Sequence, residues 1–457
     1  MLPRWPGRLG APRESVVISR PRLHARLGQS ARVTLLSAPP GAGKTVLLRS
    51  WIAEAGLAEQ TGWVTVPDNP TDDPGRFWSC VLEALRGTGT VLVPEATEAT
   101  DLDGWAIVHR LIEDLGLLED SVWLVIDDLH KLAKAETVRQ LELLVMRAPC
   151  QLRLMLSTRR DLRLGLHRMR LEGTLAEIRA DDLRFTAGEA RALFEEAGIR
   201  LPDLAVDLLC DRAEGWAAGL RLAALALARH PDPHRLAGEF CGSERTVAEY
   251  LLAEVLDPQP EPVRRMLLRT SVLDRVSGEL ADALTEARGS ERILQDLEEA
   301  NGFVVSLDAS RTWFRYHSLL GDLLRLELRR TAADELHAVH AAAADWYAGH
   351  GQPLEAIRYA RAALDTGVPP AVSAEPEGHG GTRSVHGQAR LTESEIRVVR
   401  YLPSHLTAQE IAGELHLSVH TVTTHMRHLY AKFGVHRRHE AVDRARILGV
   451  LSPAGTP

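Results

Sequence analysis

The segment Ala38-Pro-Pro-Gly-Ala-Gly-Lys-Thr45 limits the fold of this chain more than any other feature. It lies between a β-like run, Val33–Ser37, and an apolar helical stretch, Val46–Ala55. It matches the phosphate-binding pattern G-x-x-x-x-G-K-[ST], except that Ala38 takes the first glycine position. Gly41 and Gly43 let backbone N–H groups close around an anionic phosphate with no Cβ in the way. Lys44 is placed to reach the β- and γ-phosphates, and Thr45 to offer its hydroxyl to Mg²⁺. The helix begins there and turns its positive end to the phosphates. Pro40, Gly41, Ala42, Gly43, Lys44, Thr45 and Val46 are therefore the candidate nucleotide contacts. ATP or ADP with Mg²⁺ is the expected cofactor. The bland reading is a glycine-rich turn with a solvated lysine, and the flanking strand and helix weigh against it.

Two further apolar runs end in chemistry. Trp123-Leu-Val-Ile-Asp-Asp128 finishes in two carboxylates. In a parallel sheet, residues just past a strand's carboxyl end line the ligand crevice. Asp127 is expected to hold Mg²⁺, through water, and Asp128 to orient or activate the attacking water. A helix start with ordinary acidic residues is the competing reading. Ser157-Thr-Arg-Arg160 follows another apolar run. A cation there could sense the γ-phosphate and stabilise charge in the transition state, and Arg160 is the candidate. Two ordinary surface arginines are the alternative.

Strand and helix patterns alternate through the first part of the chain. β-like runs fall at Val33–Ser37, Trp63–Val66, Val122–Ile126, Leu152–Ser157 and Leu175–Ile178, with helical stretches between. That order implies a parallel sheet covered on both faces. Past residue 185 the strands mostly stop. Thr186-Ala-Gly-Glu189 reads as a capping box. Ala- and Leu-rich helices run to about residue 300, and Phe303–Leu307 with Trp313–Tyr316 then look like a small hairpin, as in a winged helix. Residues 334–364 read as one helix pair, too little for a repeat array. Residues 366–389 hold five Gly and three Pro in 24 positions and no apolar period, the composition of a flexible linker. The expected domains are 1–185 (nucleotide-binding), 186–330 (helical lid and winged helix), 331–365 (helix pair), 366–389 (linker) and 390–457 (DNA-binding).

Composition narrows the class. With 457 residues, more than one domain is expected. The net charge of −8 argues against the whole surface binding nucleic acid, though one basic module can. No apolar run approaches the roughly 18 residues of a membrane span, so no membrane partner is expected. Cys80, Cys150, Cys210 and Cys241 are far apart, which fits a reducing cytoplasm rather than a disulfide framework or a zinc site. The Arg-rich start has the composition of a transit peptide. Pro3, Pro6 and Pro12 break it, so it reads as a basic leader.

Residues 390–451 supply that basic module, with nine Lys/Arg against six Asp/Glu, and seven His. Thr392-Glu-Ser-Glu395 and Thr407-Ala-Gln-Glu410 are capping boxes, and Ser418 can cap a third helix. The second helix, Ala408–His416, is followed by a short turn. In the third, Val422, Met426, Leu429 and Phe433 recur at spacings of four, three and four and form the buried face. Thr421, Thr424, Arg427 and His428 point elsewhere. A short turn between helices and a polar outer face give the arrangement that enters a major groove. Arg427, Lys432, Arg437 and Arg438 weigh against a helical bundle used only for protein contact. The histidines lack Cys or paired acidic ligands and are read as packing, capping or phosphate-contacting groups.

Leu391-Thr-Glu-Ser-Glu395, Glu410-Ile-Ala412, Leu417-Ser-Val-His-Thr-Val422, His425 and Lys432-Phe-Gly-Val435 resemble the LuxR-type DNA-binding domain. Arg20-Pro-Arg-Leu23, Ser37–Thr45, Leu124–His130, Ser157–Asp161, Leu183-Arg-Phe-Thr186, Glu214-Gly-Trp-Ala217, Leu268–Leu273, Arg315-Tyr-His-Ser318 and Ala344-Asp-Trp-Tyr347 resemble the maltose-regulator-like subgroup, large ATP-binding LuxR regulators of the STAND class. The fold this implies is an α/β P-loop NTPase, then an α-helical lid and winged-helix region, then an all-α LuxR-type helix-turn-helix domain. The function it implies is a nucleotide-controlled transcription activator. ADP holds such proteins closed, and ATP with an inducer opens them for self-association and promoter binding. Double-stranded DNA, RNA polymerase, further copies of the chain and an unidentified inducer or regulatory protein are the expected partners.

By the same resemblance, His317 contacts nucleotide from the winged-helix region, and Arg20 lies near the adenine. The base-contacting positions fall on Thr423, Thr424 and Arg427; Lys432, beyond the buried stripe near the helix end, is better placed for phosphate or for Glu395. The resembling regulators carry a long helical-repeat sensor where this chain has one helix pair and a linker. They often carry Lys where it has Thr423. Two other functions compete: an ATP-driven enzyme that remodels or loads onto DNA, and a degenerate ATPase serving as a scaffold. Intact Lys44, Thr45, Asp127 and Asp128 disfavour the scaffold, and a slow ATPase acting as a switch is the expectation.

Overall fold

The computed structural model describes residues 17–29, 31–67, 74–89, 104–162, 164–230, 232–366, 393–402, 406–415, 422, 425–426, 429–430, 432–433, 435 and 438–447. The chain divides into two compact units, residues 1–369 and 370–457.

In the first unit, α1 (Pro21–Leu27) precedes β1 (Val33–Ser37), and α2 (Lys44–Glu54) follows the glycine-rich loop. Next come β2 (Thr61–Thr65), α3 (Pro74–Arg86), α4 (Gly104–Leu115), β3 (Val122–Asp127), α5 (Ala135–Arg147), β4 (Leu152–Thr158), α6 (Leu166–Leu171) and β5 (Leu175–Arg179). The five strands are parallel, in the order β2-β3-β4-β1-β5. The sequence places the second strand at Trp63–Val66, and the structure moves it to Thr61–Thr65, because its pairing with β3 begins at Thr61 opposite Trp123.

The central strands are apolar throughout because each face of the sheet has its own core. Leu35, Leu124, Ile126, Leu154 and Leu156 pack on one side with Trp78, Ile107, Leu141 and Met169 of α3 to α6. Leu36, Val125 and Met155, each one residue out of step, pack on the other with Leu23, Leu48, Trp51 and Ile52 of α1 and α2. The period of two along a strand separates the two sets. Burial of Leu48 at 0% exposure fixes where α2 begins, and with it the phosphate loop.

A third core holds the helical region. It comprises α7 (Ala187–Glu196), α8 (Asp203–Arg212), α9 (Ala217–Arg229), α10 (Pro233–Glu239) and α11 (Arg245–Leu251), which runs into a π-turn at Leu252–Leu256. Then come α12 (Glu261–Thr270), β6 (Val276–Ser277), α13 (Gly278–Thr285) and α14 (Ser290–Glu299). β7 (Val304–Ser306) and β8 (Trp313–Tyr316) form the expected antiparallel hairpin, and β6 adds a third strand beside β8. The Thr186 capping box is present in both directions: Glu189 N–H donates to Thr186 Oγ1 at 3.2 Å, and Thr186 N–H donates to the Glu189 carboxylate at 2.9 Å. After α15 (Ser318–Thr331), the helix pair is α16 (Glu335–Gly349) and α17 (Pro353–Thr366). Among the described residues no helix is long and apolar enough to cross a membrane.

In the second unit, helices Glu393–Tyr401, Ala408–Leu415 and Arg438–Ile447 enclose two small cores. Val422, Leu429 and Phe433 are buried in them, with Met426 partly so, which is the face the spacing predicts. Thr407 and Glu410 form their capping box. The guanidinium of Arg438 donates to the carbonyls of Tyr401, Leu402 and Leu406 at 2.6 to 3.0 Å. It closes the end of the first helix onto the start of the second, and so leaves the basic surface to which the sequence assigns it. Ser418, Thr421, Thr423, Thr424, Arg427 and His428 lie outside the described residues, whereas Lys432 is described and exposed.

Candidate functional site

The strand order builds the site. β4 lies between β1 and β3, and Ser37 of β1 registers with Thr158 of β4. The carboxyl ends of these strands thus carry the glycine-rich loop, the 157–160 segment and the 127–128 carboxylates to one edge of the sheet. Gly43, at φ 87°, is the N-cap of α2 and gives it no side-chain cap. The first N–H groups of that helix have no intrahelical acceptor and face the loop.

Lys44 is buried, and its Nζ donates to the carbonyls of Ala38 at 2.6 Å and Pro39 at 3.0 Å. Burial, and then the charge of Arg159, pull its ammonium down to about 8. Thr45 Oγ1 donates to Asp127 Oδ2 at 2.8 Å. The other oxygen of Asp127 accepts from the Asp128 N–H at 3.0 Å. Asp128 has φ 56°, a left-handed backbone that Asp tolerates better than most residues. Its carboxylate meets Lys131 Nζ at 2.8 Å. Free helix N–H groups, a buried lysine and a hydroxyl–carboxylate pair fit a phosphate chain with a hydrated divalent cation.

Of the two arginines after β4, Arg159 is the one whose charge reaches Lys44 and His130. Its Nη1 meets Glu254 of the π-turn at 2.8 Å, and its carbonyl accepts from Asn301 Nδ2 at 2.7 Å. Arg160, the sequence candidate, reaches only the carbonyl of His130, at 3.4 Å, from an exposed position. His130, three residues beyond Asp127, also faces Arg159. Burial first, then Arg159, hold its imidazole down at about 4, and its Nδ1 is buried with no hydrogen-bond partner.

The helical region covers the loop. Trp216 Nε1 donates to the Pro40 carbonyl at 3.0 Å, and Ala218 N–H donates to the Gly41 carbonyl at 2.9 Å. A Cβ on Gly41 would stand 2.5 Å from the Ala218 Cβ and 2.9 Å from the Tyr250 hydroxyl, so this closeness needs glycine. Trp216, Phe303 and His317 stack edge to face. Between lid and loop lies a cavity of about 90 Å³, lined by Pro39, Ala42, Glu214, Trp216, Phe303 and His317.

His317 lines that cavity with both ring nitrogens engaged: Nε2 meets the Ala213 carbonyl at 3.1 Å, and Nδ1 accepts from Leu319 N–H at 3.3 Å. Burial pushes the imidazole down despite the carboxylate of Glu214, so it is neutral with its hydrogen on Nε2. Arg20 is buried, with its guanidinium on Glu189, on the Arg184 carbonyl and over the Phe185 ring at 4.4 Å. That side chain ties the start of α1 to the start of α7.

Residues 252–336 match the MalT winged helix domain, and residues 389–445 match the bacterial regulatory proteins of the luxR family. The serine/threonine-protein kinase PknK of Mycobacterium tuberculosis is 32% identical over 357 residues, covering 76% of this chain and 32% of the kinase. The HTH-type transcriptional regulator MalT of Yersinia enterocolitica is 30% identical over 376 residues, covering 79% of this chain and 41% of that protein. The chain thus spans about a third to two fifths of the length of these relatives. The Walker-type ATPase of Pyrococcus abyssi shares the fold, with a TM-score of 0.50 at 13% identity over 68% of this chain and 96% of that one.

Proposed function

The chain is a homologue of MalT over most of its length, with a MalT winged helix domain and a LuxR-family domain, and on that premise we propose that it is an ATP-dependent DNA-binding transcription regulator, an activator. The observation that carries the reading is the Thr45–Asp127 pair beside buried Lys44, under a lid formed by the same chain. Pro40 to Val46 would cradle the phosphates, with Arg20 and His317 toward the nucleoside. Thr45 and Asp127 would hold Mg²⁺, which neutralises phosphate charge when bound. Asp128 would orient the attacking water, with Arg160, or Arg159 from its better position, facing the developing charge. Hydrolysis would be slow and serve as a switch. ATP would favour self-association and promoter binding, and ADP the closed form. Ser418, Thr421, Thr423, Thr424, Arg427, His428 and Lys432 would meet DNA. RNA polymerase and an inducer would be further partners, in a bacterial cytoplasm.

The test is sequencing of genomic DNA recovered with the protein in ADP and in ATP. The reading expects discrete sites enriched with ATP. Equal, unselective recovery in both states would reject it.

A further inference from the structure

Glu214 lies in the loop between α8 and α9, two residues before the segment that covers the phosphate loop. It takes φ 48°, a left-handed backbone that a side chain such as Glu adopts only where the surroundings enforce it. The surroundings are on the page. Arg315 at the end of β8 pairs with both carboxylate oxygens, Nη1 to Oε1 and Nη2 to Oε2, each at 2.8 Å. Ser318, at the start of α15, donates its N–H and its hydroxyl to Oε1, each at 2.9 Å. Burial opposes charge on Glu214, and the paired Arg315 guanidinium with the Ser318 N–H overcomes it, holding the carboxyl well below its usual range. One carboxylate therefore fastens the lid loop to the corner between β8 and α15.

The loop it fastens is the one that covers the phosphate loop. Trp216 and Ala218, two and four residues on, bind the carbonyls of Pro40 and Gly41. Gly215, between Glu214 and Trp216, is wedged against Phe185, where a Cβ would stand 2.9 Å from the carbonyl oxygen. A rigid segment of five residues so joins the β8–α15 corner to the phosphate loop.

We propose that Glu214 is a positioning residue that sets how long the site retains nucleotide, by clamping the Trp216–Ala218 segment over the phosphate loop through Arg315 and Ser318. It acts through the backbone and touches no phosphate. The inference rests on the nucleotide reading above and adds the part that governs exchange.

The test is release of a fluorescent N-methylanthraniloyl-ADP from the full chain, followed by stopped flow on chasing with ADP. Glu214→Gly removes the carboxylate and suits the left-handed backbone. Arg315→Gln removes the other half, and either variant serves if the other does not fold. Each is expected to release the probe at least about tenfold faster, the double variant no faster than the quicker single one, and Arg315→Lys in between. Wild-type release rates in folded variants would overturn the clamp, and so would accelerations that multiply in the double variant. A wild-type chain that binds no probe would instead reject the nucleotide reading itself.

Discussion

Thr45 Oγ1 and Asp127 Oδ2 are joined by a 2.8 Å hydrogen bond across 82 residues of sequence. Parallel pairing makes the link: β1 and β3 both lie against β4, and their carboxyl ends meet at one edge of the sheet. Beside them the buried Lys44 amine is satisfied only by the carbonyls of Ala38 and Pro39. Replacing Lys44 with Ala is expected to remove most ATP binding, since loss of one charged phosphate contact costs about 1.5–3 kcal/mol. Calorimetry with ATP and Mg²⁺ measures it, and unchanged affinity would reduce the loop to a turn.

The same lysine predicts a pH dependence. Its ammonium is pulled down to about 8 by burial and by Arg159. Only the protonated amine pairs with phosphate, whose last proton, with a pKa of about 6, is already gone there. ADP affinity should be level near pH 7, bend downward through pH 8 and fall by up to about tenfold per pH unit beyond it. Lys44→Met should abolish the break. A wild-type profile that stays level to pH 9.5 would show that the amine does not titrate in that range.

Asp128→Asn separates binding from hydrolysis. Asn tolerates the φ of 56° as well as Asp does, so the backbone is kept while the charge is lost. Retained ATP binding, turnover lowered on the order of 10²-fold and prolonged DNA binding are expected. Normal turnover in a phosphate-release assay would remove Asp128 from the catalytic role.

Much of this site is legible in the sequence because its parts are local motifs at strand ends. The loop at 38–45, the carboxylates at 127–128 and the cations at 159–160 each follow an apolar run. What joins them to the lid is not legible, because those contacts are set by the third dimension. Arg159 outranks its neighbour only once Glu254 and Asn301 are seen to hold it. Glu214 reads as an ordinary acidic residue until Arg315 closes on it, 101 residues later. Arg438 misleads for the converse reason, as a basic residue in a basic stretch that is spent on three backbone carbonyls.

Arg438 gives a stability prediction. Removing it leaves the carbonyls of Tyr401, Leu402 and Leu406 without their charged donor. Arg438→Met should destabilise the second unit by about 1.5–3 kcal/mol and weaken DNA binding through folding, with the sequence preference unchanged. Differential scanning calorimetry of the full chain measures it, and a transition at the wild-type temperature would assign Arg438 to the DNA surface instead.

The last prediction concerns the reading of DNA. Val422, Leu429 and Phe433 are buried, as the spacing of the third helix predicts. Thr423, Thr424 and Arg427 are the proposed base contacts, and only Arg427 can pair with guanine through two hydrogen bonds. Lys432 is exposed near the helix end, where phosphate is the nearer target. Arg427→Ala should weaken specific binding by about 1–3 kcal/mol and flatten preference at one base position per half-site. Lys432→Ala should weaken all sequences alike and lower the salt dependence. A dimer would place its half-sites about one helical turn apart. Selection from a randomised operator with wild type and both variants decides it. If Arg427→Ala keeps the sequence preference while Lys432→Ala changes it, the groove-facing side has been assigned wrongly.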